Sequence, residues 1–305
     1  MHMKDYVEKV LKLEFYKGED LYSDGDIEDK ILEICEEYGD DVREVLKTQS
    51  DWPLLYHLSE VRQNILEWYD FNPEANLLEI GAGCGAITGL FCNKVKRVVG
   101  IDLSKRRSLI NATRNGGKGN LEIIVGNFED ISIEETFDYV TLIGVLEYSP
   151  LYISKGENPF TTMLEKVKKF LKPNGKLMIA IENKFGLKYM AGTAEDHTGQ
   201  FFEGVENYQN TSHVYTFSKP EITKLLKDSG FIKNEFYYPV PDYKLPNVIY
   251  SENYLPQKGD LTHIANAYDR KRYETFNEEA VFDSFCEDGQ FEYFANSFLI
   301  ISSLV

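Results

Sequence analysis

The chain has 305 residues, 43% hydrophobic and 27% charged, with 20 Tyr and 19 Phe, a composition that builds a core and excludes intrinsic disorder. Lys and Arg number 33 against 50 Asp and Glu, a formal net charge of −17, so a polyphosphate backbone is repelled and no nucleic acid is expected. There is no apolar run long enough to span a bilayer, and the start Met1-His2-Met3-Lys4-Asp5 has no apolar segment; no membrane insertion and no signal peptide are expected, and the protein reads as cytoplasmic.

In chain order, residues 1–70 read as a helical N-terminal cap. Asp26 caps a helix with Ile27, Ile31, Ile34, Cys35 and Tyr38 on one face; Val42, Val45 and Leu46 mark a second. Ser59 caps a third, with Val61, Ile65, Leu66 and Tyr69 inward. From Asn76 onward short apolar runs alternate with amphipathic helices, the pattern of a parallel α/β sheet. Strands are expected at 77–80, 97–101, 121–125, 137–143, 176–181, 231–238 and 297–304. Ser104 caps the helix after the second strand, and Ser218-Lys219-Pro220-Glu221 is a capping box before the sixth. Two stretches without periodicity, at about 183–216 and 239–291, read as insertions in a domain covering 71–305. Cys35, Cys84, Cys92 and Cys286 show no paired or zinc-like spacing and read as free thiols.

Glu79-Ile80-Gly81-Ala82-Gly83-Cys84-Gly85 is the most informative segment. A strand ending in alternate glycines lets the backbone approach a ligand and points a helix N-terminus at it. Gly81-x-Gly83-x-x-Ala86 satisfies the dinucleotide fingerprint, so an NAD-dependent oxidoreductase or epimerase remains an alternative. S-adenosylmethionine (SAM) is favoured by three features together. Glu79 precedes the first glycine by two places, Asp102 ends the second strand where a carboxylate can hold ribose hydroxyls, and the final strand order suits an antiparallel last strand.

With these residues the sequence resembles the class I SAM-dependent methyltransferases from about residue 50 to the end. The resemblance implies an α/β Rossmann-like seven-stranded sheet with an antiparallel last strand, beneath the helical cap and two insertions. It places Glu79 and Gly81, Ala82, Gly83, Cys84 and Gly85 around the methionine moiety of SAM, Asp102 on the ribose, and Leu103 on one adenine face. Asn127 takes the place of the usual aspartate toward the adenine amino group, with Phe128 as stacking surface and Glu129 beside it. Gly144 and Val145 begin the segment that passes under the sulfonium. Tyr56 and Arg62 fit an upstream aromatic and arginine that cover the methionine carboxylate. The stretches Trp52–Ser59, Ile181–Gly186, Glu195–Gly199 and Tyr238–Tyr243 resemble bacterial methyltransferases found beside, or fused to, surface-polysaccharide glycosyltransferases, which implies a glycosyltransferase partner.

Methyl transfer from a sulfonium needs alignment above all, and a base only for a hydroxyl or protonated amine. His197, between acids and Thr198-Gly199, is the best candidate base because imidazole titrates near neutrality. Glu147 follows as base or orienting carboxylate, and His213 ranks lower. Glu195-Asp196-His197 is too compressed to show converging ligands, so no metal is expected. Lys105-Arg106-Arg107 reads as a solvated helix start. The acceptor is expected to be a small molecule or the sugar of a glycan precursor, with aromatic residues of the insertions (Tyr208, Tyr243, Tyr250, Tyr254) either stacking on it or forming their own cores. A non-catalytic SAM-binding scaffold for a glycosyltransferase is the other alternative.

Overall fold

Leu77, Leu78 and Ile80 are all buried, so their strand is apolar on both faces, as a central parallel strand must be. The computed structural model describes residues 3–39, 42–49, 51–210, 213–262 and 272–305. It divides into two units, Met1–Leu142 with Lys169–Lys176, and Ile143–Lys168 with Leu177–Val305. The first contains β1 (Leu11–Phe15), β2 (Asn76–Ile80), β3 (Arg97–Asp102), β4 (Leu121–Gly126) and β5 (Phe137–Ile143). Their order is β1-β4-β3-β2-β5, and the pairs β1–β4, β4–β3, β3–β2 and β2–β5 are all parallel.

The N-terminal cap is not wholly helical. β1 joins the sheet edge, with Leu11 opposite Ile123 and Lys12 opposite Ile124. Its alternating Leu11, Leu13 and Phe15 carry a period of two that follows directly on a helix, Met3–Val10. The helix Ile27–Tyr38 forms where its apolar stripe predicts, and Ile31, Ile34 and Cys35 pack with Val42, Val45, Leu54, Leu58, Ile110 and Cys84 of the glycine turn. Ser59 caps its 3-10 turn by accepting from Val61 N–H, and Ser104 caps the helix Lys105–Asn115 by accepting from Arg107 N–H at 3.2 Å.

In the second unit β6 (Leu171–Glu182, from Leu177), β7 (Lys233–Val240), β8 (Val248–Ser251) and β9 (Ser297–Ser303) follow the order β6-β9-β7-β8. β9 runs antiparallel to both β6 and β7, as expected for the last strand. All seven expected strands are present; β1 and β8 are additional. The fold is therefore of the mixed α/β, Rossmann-like class. β8 forms a hairpin with β7 inside the second insertion, which also holds the helix Glu278–Glu287. Ser218 and Glu221 make the capping box reciprocally. No helix among the described residues is long and apolar enough to cross a membrane.

Candidate functional site

The glycine turn leaves β2 with Gly81, Gly83 and Gly85 all at positive φ (73°, 51° and 77°). Gly85 cannot be replaced without displacement, since a Cβ there would lie 2.3 Å from Asn111 Oδ1 and 2.5 Å from Asn115 Nδ2. At the tip of β3 the buried Asp102 accepts from Gly83 N–H at 2.7 Å and from Ser104 N–H at 2.9 Å. Each carboxylate oxygen keeps a second lone pair, so the group is fixed in place while still able to accept from a ribose diol. The donor set therefore fits the cofactor.

Arg62 is enclosed. It is 4% exposed, its Nη2 donates to Tyr56 Oη at 3.4 Å, and its guanidinium stands 4.3 Å from the Tyr56 ring centre. The two upstream residues thus come together. Leu103 is half-buried beside Asp102; Ala82 and Cys84 are buried within the turn. Asn127 accepts from Glu129 N–H at 3.0 Å, closing the loop after β4. Phe128 is buried, with its ring 5.6 Å from that of Phe170, a core contact.

Glu79 is buried and accepts from the Thr88 hydroxyl at 2.5 Å. Burial pushes its carboxyl up to about 8 from 4.5, with Asp102 adding repulsion and Thr88 opposing. The folded state then binds more protons than the unfolded between these values, so stability present below 4.5 is lost as pH rises through about 8. Glu79→Gln is expected to remove this fall, gaining on the order of 3 kcal/mol over wild type at pH 9. Thermal unfolding at pH 6 and 9 checks it; parallel losses in both proteins would refute it.

Of the basic cluster Lys105 is exposed, as expected, but the two arginines are engaged. Arg107 is largely enclosed, 3.8 Å from both Asp24 and Glu28, and Arg106 pairs with Asp29. Asp20 accepts from Lys105 N–H at 2.7 Å, Arg106 N–H at 3.2 Å and the Ser104 hydroxyl at 3.0 Å. Asp24 also meets His57 Nε2 at 3.0 Å. Burial would raise Asp24, but His57 and Arg107 draw it down to about 2. Acidic residues of the cap thus hold the helix that follows Asp102.

The second unit contains a separate buried cluster. Gly144, at φ 69°, lies so close to Tyr243 that a Cβ would meet its hydroxyl at 2.8 Å; Val145 next to it is half-buried. Tyr243 donates to Glu182 Oε1 at 3.3 Å, and Lys244 Nζ stands 3.2 Å from the same oxygen. Glu147 is fully buried at the turn after Leu146. His197 Nδ1 meets Glu195 Oε1 at 2.9 Å, while Nε2 stands 3.8 Å from Glu147 Oε1 and 3.9 Å from Glu182 Oε2. Burial disfavours the charged ring, but Glu182, Glu147 and Glu195 outweigh it and hold His197 well above its ordinary value. Burial raises Glu147, reinforced by Glu182 and opposed by His197. Lys188, fully buried, pairs with Asp196 at 2.9 Å and Asp242 at 3.4 Å, and Lys244 also pairs with Asp196.

His213, by contrast, is exposed. Tyr208, Tyr243 and Tyr250 are buried and belong to their unit's core, whereas Tyr254 is 72% exposed. The sequence reading missed Glu182, Lys188 and Lys244 as members of the cluster. An acid at the C-terminal end of an apolar strand, the same signal that marks Asp102, would have found Glu182.

The glycine turn, the acid at the tip of β3 and the Rossmann-like α/β sheet are together the features that a class I methyltransferase uses to hold SAM. Residues 78–179 match the family described as "Methyltransferase domain". The chain is similar to a malonyl-[acyl-carrier protein] O-methyltransferase of Priestia megaterium, 30% identical over 112 residues, 36% of this chain and 38% of that protein. It is also similar to an uncharacterized methyltransferase of Staphylococcus carnosus, 28% identical over 144 residues, 47% of this chain and 64% of that one. The chain thus spans well under two thirds of the Priestia relative. Among solved structures, a chain from the complex of the Haloferax volcanii Trm112 methyltransferase activator with a methyltransferase is 16% identical, covering 88% of this chain and 96% of that one with a TM-score of 0.51, a likeness of fold.

Proposed function

We propose that the protein transfers a methyl group from SAM to oxygen or nitrogen of a small molecule, or of a sugar in a glycan precursor. The observation that carries this reading is the Asp102 carboxylate, anchored by the amide of Gly83 within the glycine turn and able to accept from a ribose diol. SAM supplies a methyl group already activated on a sulfonium, so the chain's own task is to bind, orient and exclude water. In this reading Asp102 and Leu103 hold the nucleoside, and Tyr56 with Arg62 meets the methionine carboxylate. The turn Gly81 to Gly85 lies against the methionine moiety, with Gly144 and Val145 beneath the sulfonium. Asn127, Phe128 and Glu129 border the adenine. His197 and Glu147 are the acceptor-side residues. The net charge of −17 disfavours a nucleic-acid acceptor. The O-methyltransferase named for the Priestia relative favours oxygen, and the four longer sequence stretches support a surface-polysaccharide setting with a glycosyltransferase partner.

Calorimetry with SAM and S-adenosylhomocysteine, run beside NADH, tests the cofactor half. Micromolar binding of the sulfur ligands and none of NADH is expected; NADH binding in their place would overturn the reading. Transfer of labelled methyl to a panel headed by nucleotide sugars tests the acceptor half. SAM binding without transfer to any acceptor class would favour the scaffold instead.

A further inference from the structure

Glu147, Glu182 and His197 offer ligand atoms that all lie within 4.8 Å of one another. Acidic clusters are common, but two features set this one apart. First, both carboxylate oxygens of Glu147 and the Oε2 of Glu182 have no hydrogen-bond partner among the described residues, although both residues are fully buried. A buried carboxylate in that condition is costly, and the distances of 3.8 and 3.9 Å to His197 Nε2 are too long for hydrogen bonds. Second, two of the three groups are aimed by neighbours. His197 Nδ1 is engaged by Glu195, whose other oxygen is fixed by the amides of His197 and Thr198 at 2.8 and 2.6 Å. That arrangement presents Nε2 inward, as in histidines that ligate metals. Glu182 Oε1 is taken by Tyr243 and Lys244, leaving Oε2 turned toward Nε2.

Charge points the same way. Five carboxylates (Glu147, Glu182, Glu195, Asp196, Asp242) are buried together with two ammonium groups, Lys188 and Lys244, and the His197 ring, so carboxylates still outnumber the cations that can answer them. A low-dielectric interior penalises such an excess unless a cation answers it. With bonds of about 2.1 Å, neighbouring ligand atoms of a tetrahedral or octahedral site stand roughly 3.0–3.4 Å apart. The 3.8 and 3.9 Å gaps to Nε2 would have to contract by roughly 0.4–0.9 Å, and all three ligand atoms already lie within 4.8 Å of one another.

We propose that Glu147, Glu182 and His197 form a binding site for a divalent first-row cation. Two carboxylates and one imidazole suit Mn2+ or Zn2+ better than the all-oxygen sets of Ca2+. Three protein ligands leave positions for water or for an acceptor oxygen, the latter role resting on the methyltransferase reading above.

The test uses Mn2+ alone, added to the chelator-treated full chain without SAM or acceptor, so its failure leaves the methyltransferase reading untouched. Calorimetry and loss of the aqueous Mn2+ resonance are expected to show one equivalent bound. Nitrogen hyperfine coupling from an imidazole should be visible in the bound ion's pulsed spectrum. Glu147→Gln and His197→Ala are each expected to weaken binding at least tenfold, and the latter to erase the nitrogen coupling. Glu147→Gln replaces an unpaired buried charge by an amide of equal size, so it is expected to unfold no earlier than wild type. Absence of stoichiometric binding by wild type overturns the proposal, as does unchanged affinity in either folded variant.

Discussion

Replacing Asp102 by Ala is expected to weaken SAM at least a hundredfold in calorimetry while the protein stays folded. The carboxylate is the one group at the tip of β3 suited to a vicinal diol, and hydrogen bonds to a charged acceptor contribute about 1.5–3 kcal/mol each. Two such bonds lost correspond to roughly two to four decades in affinity. The same substitution frees the amides of Gly83 and Ser104, which now donate to Asp102 at 2.7 and 2.9 Å. Asp102→Asn separates the two effects, since an amide oxygen can still accept from one backbone donor but carries no charge. Binding by Asp102→Asn is expected to fall between wild type and Asp102→Ala. Equal SAM affinity in all three proteins would remove Asp102 from the cofactor site and with it the observation on which the function rests.

The second large effect is on stability. Lys188→Met is expected to destabilise the fold by about 3–5 kcal/mol, because it leaves Asp242, and one side of Asp196, buried without a counter-charge. Burial opposes ionisation of Asp196, yet Lys188 and Lys244 hold it well below the usual carboxylate range. Removing one lysine therefore strands a charge that the remaining one answers only in part. Lys188→Met combined with Asp242→Asn is expected to recover part of the loss, which a double-mutant cycle measured by denaturant unfolding would quantify. A single substitution costing less than 1 kcal/mol would mean that water or another group reaches Asp242.

Much of the fold was legible because its signals are local. The strands β2 to β5 are short apolar runs bounded by glycine, asparagine or charge, and the capping serines Ser59, Ser104 and Ser218 lie a fixed few residues from the amides they serve. The edge strand β1 was not legible, since five residues of weak alternation acquire their meaning only from Ile123 and Ile124 more than a hundred positions away. Long-range charge pairing explains the other differences. Arg107 carries the pattern of a solvated helix start, and nothing near it in sequence announces Asp24 or Glu28. Asp102 stood out because a glycine turn precedes it at a recognisable distance. Glu182 occupies the equivalent position at the end of β6 with no such companion, and its partners Tyr243 and Lys244 come from beyond β7. Adjacency in sequence does not make a common site: Glu195, Asp196 and His197 serve different neighbours, Glu195 turning back to His197 while Asp196 joins Lys188 and Lys244.

Ser104 is shared by two acids of different origin. Asp102 takes its amide at 2.9 Å, and Asp20, from the N-terminal cap, takes its hydroxyl at 3.0 Å. A single residue thus stands between the carboxylate assigned to the nucleoside and the segment that closes over the following helix. Where occupancy of one site alters the order of such a shared residue, the effect is reciprocal: a ligand that tightens the cap by some factor is itself held more tightly by that factor when the cap is docked. The stretch around Asp20 then belongs to the affinity of the cofactor site without contributing an atom to it, and its resistance to proteolysis becomes a measure of ligand bound elsewhere in the same unit.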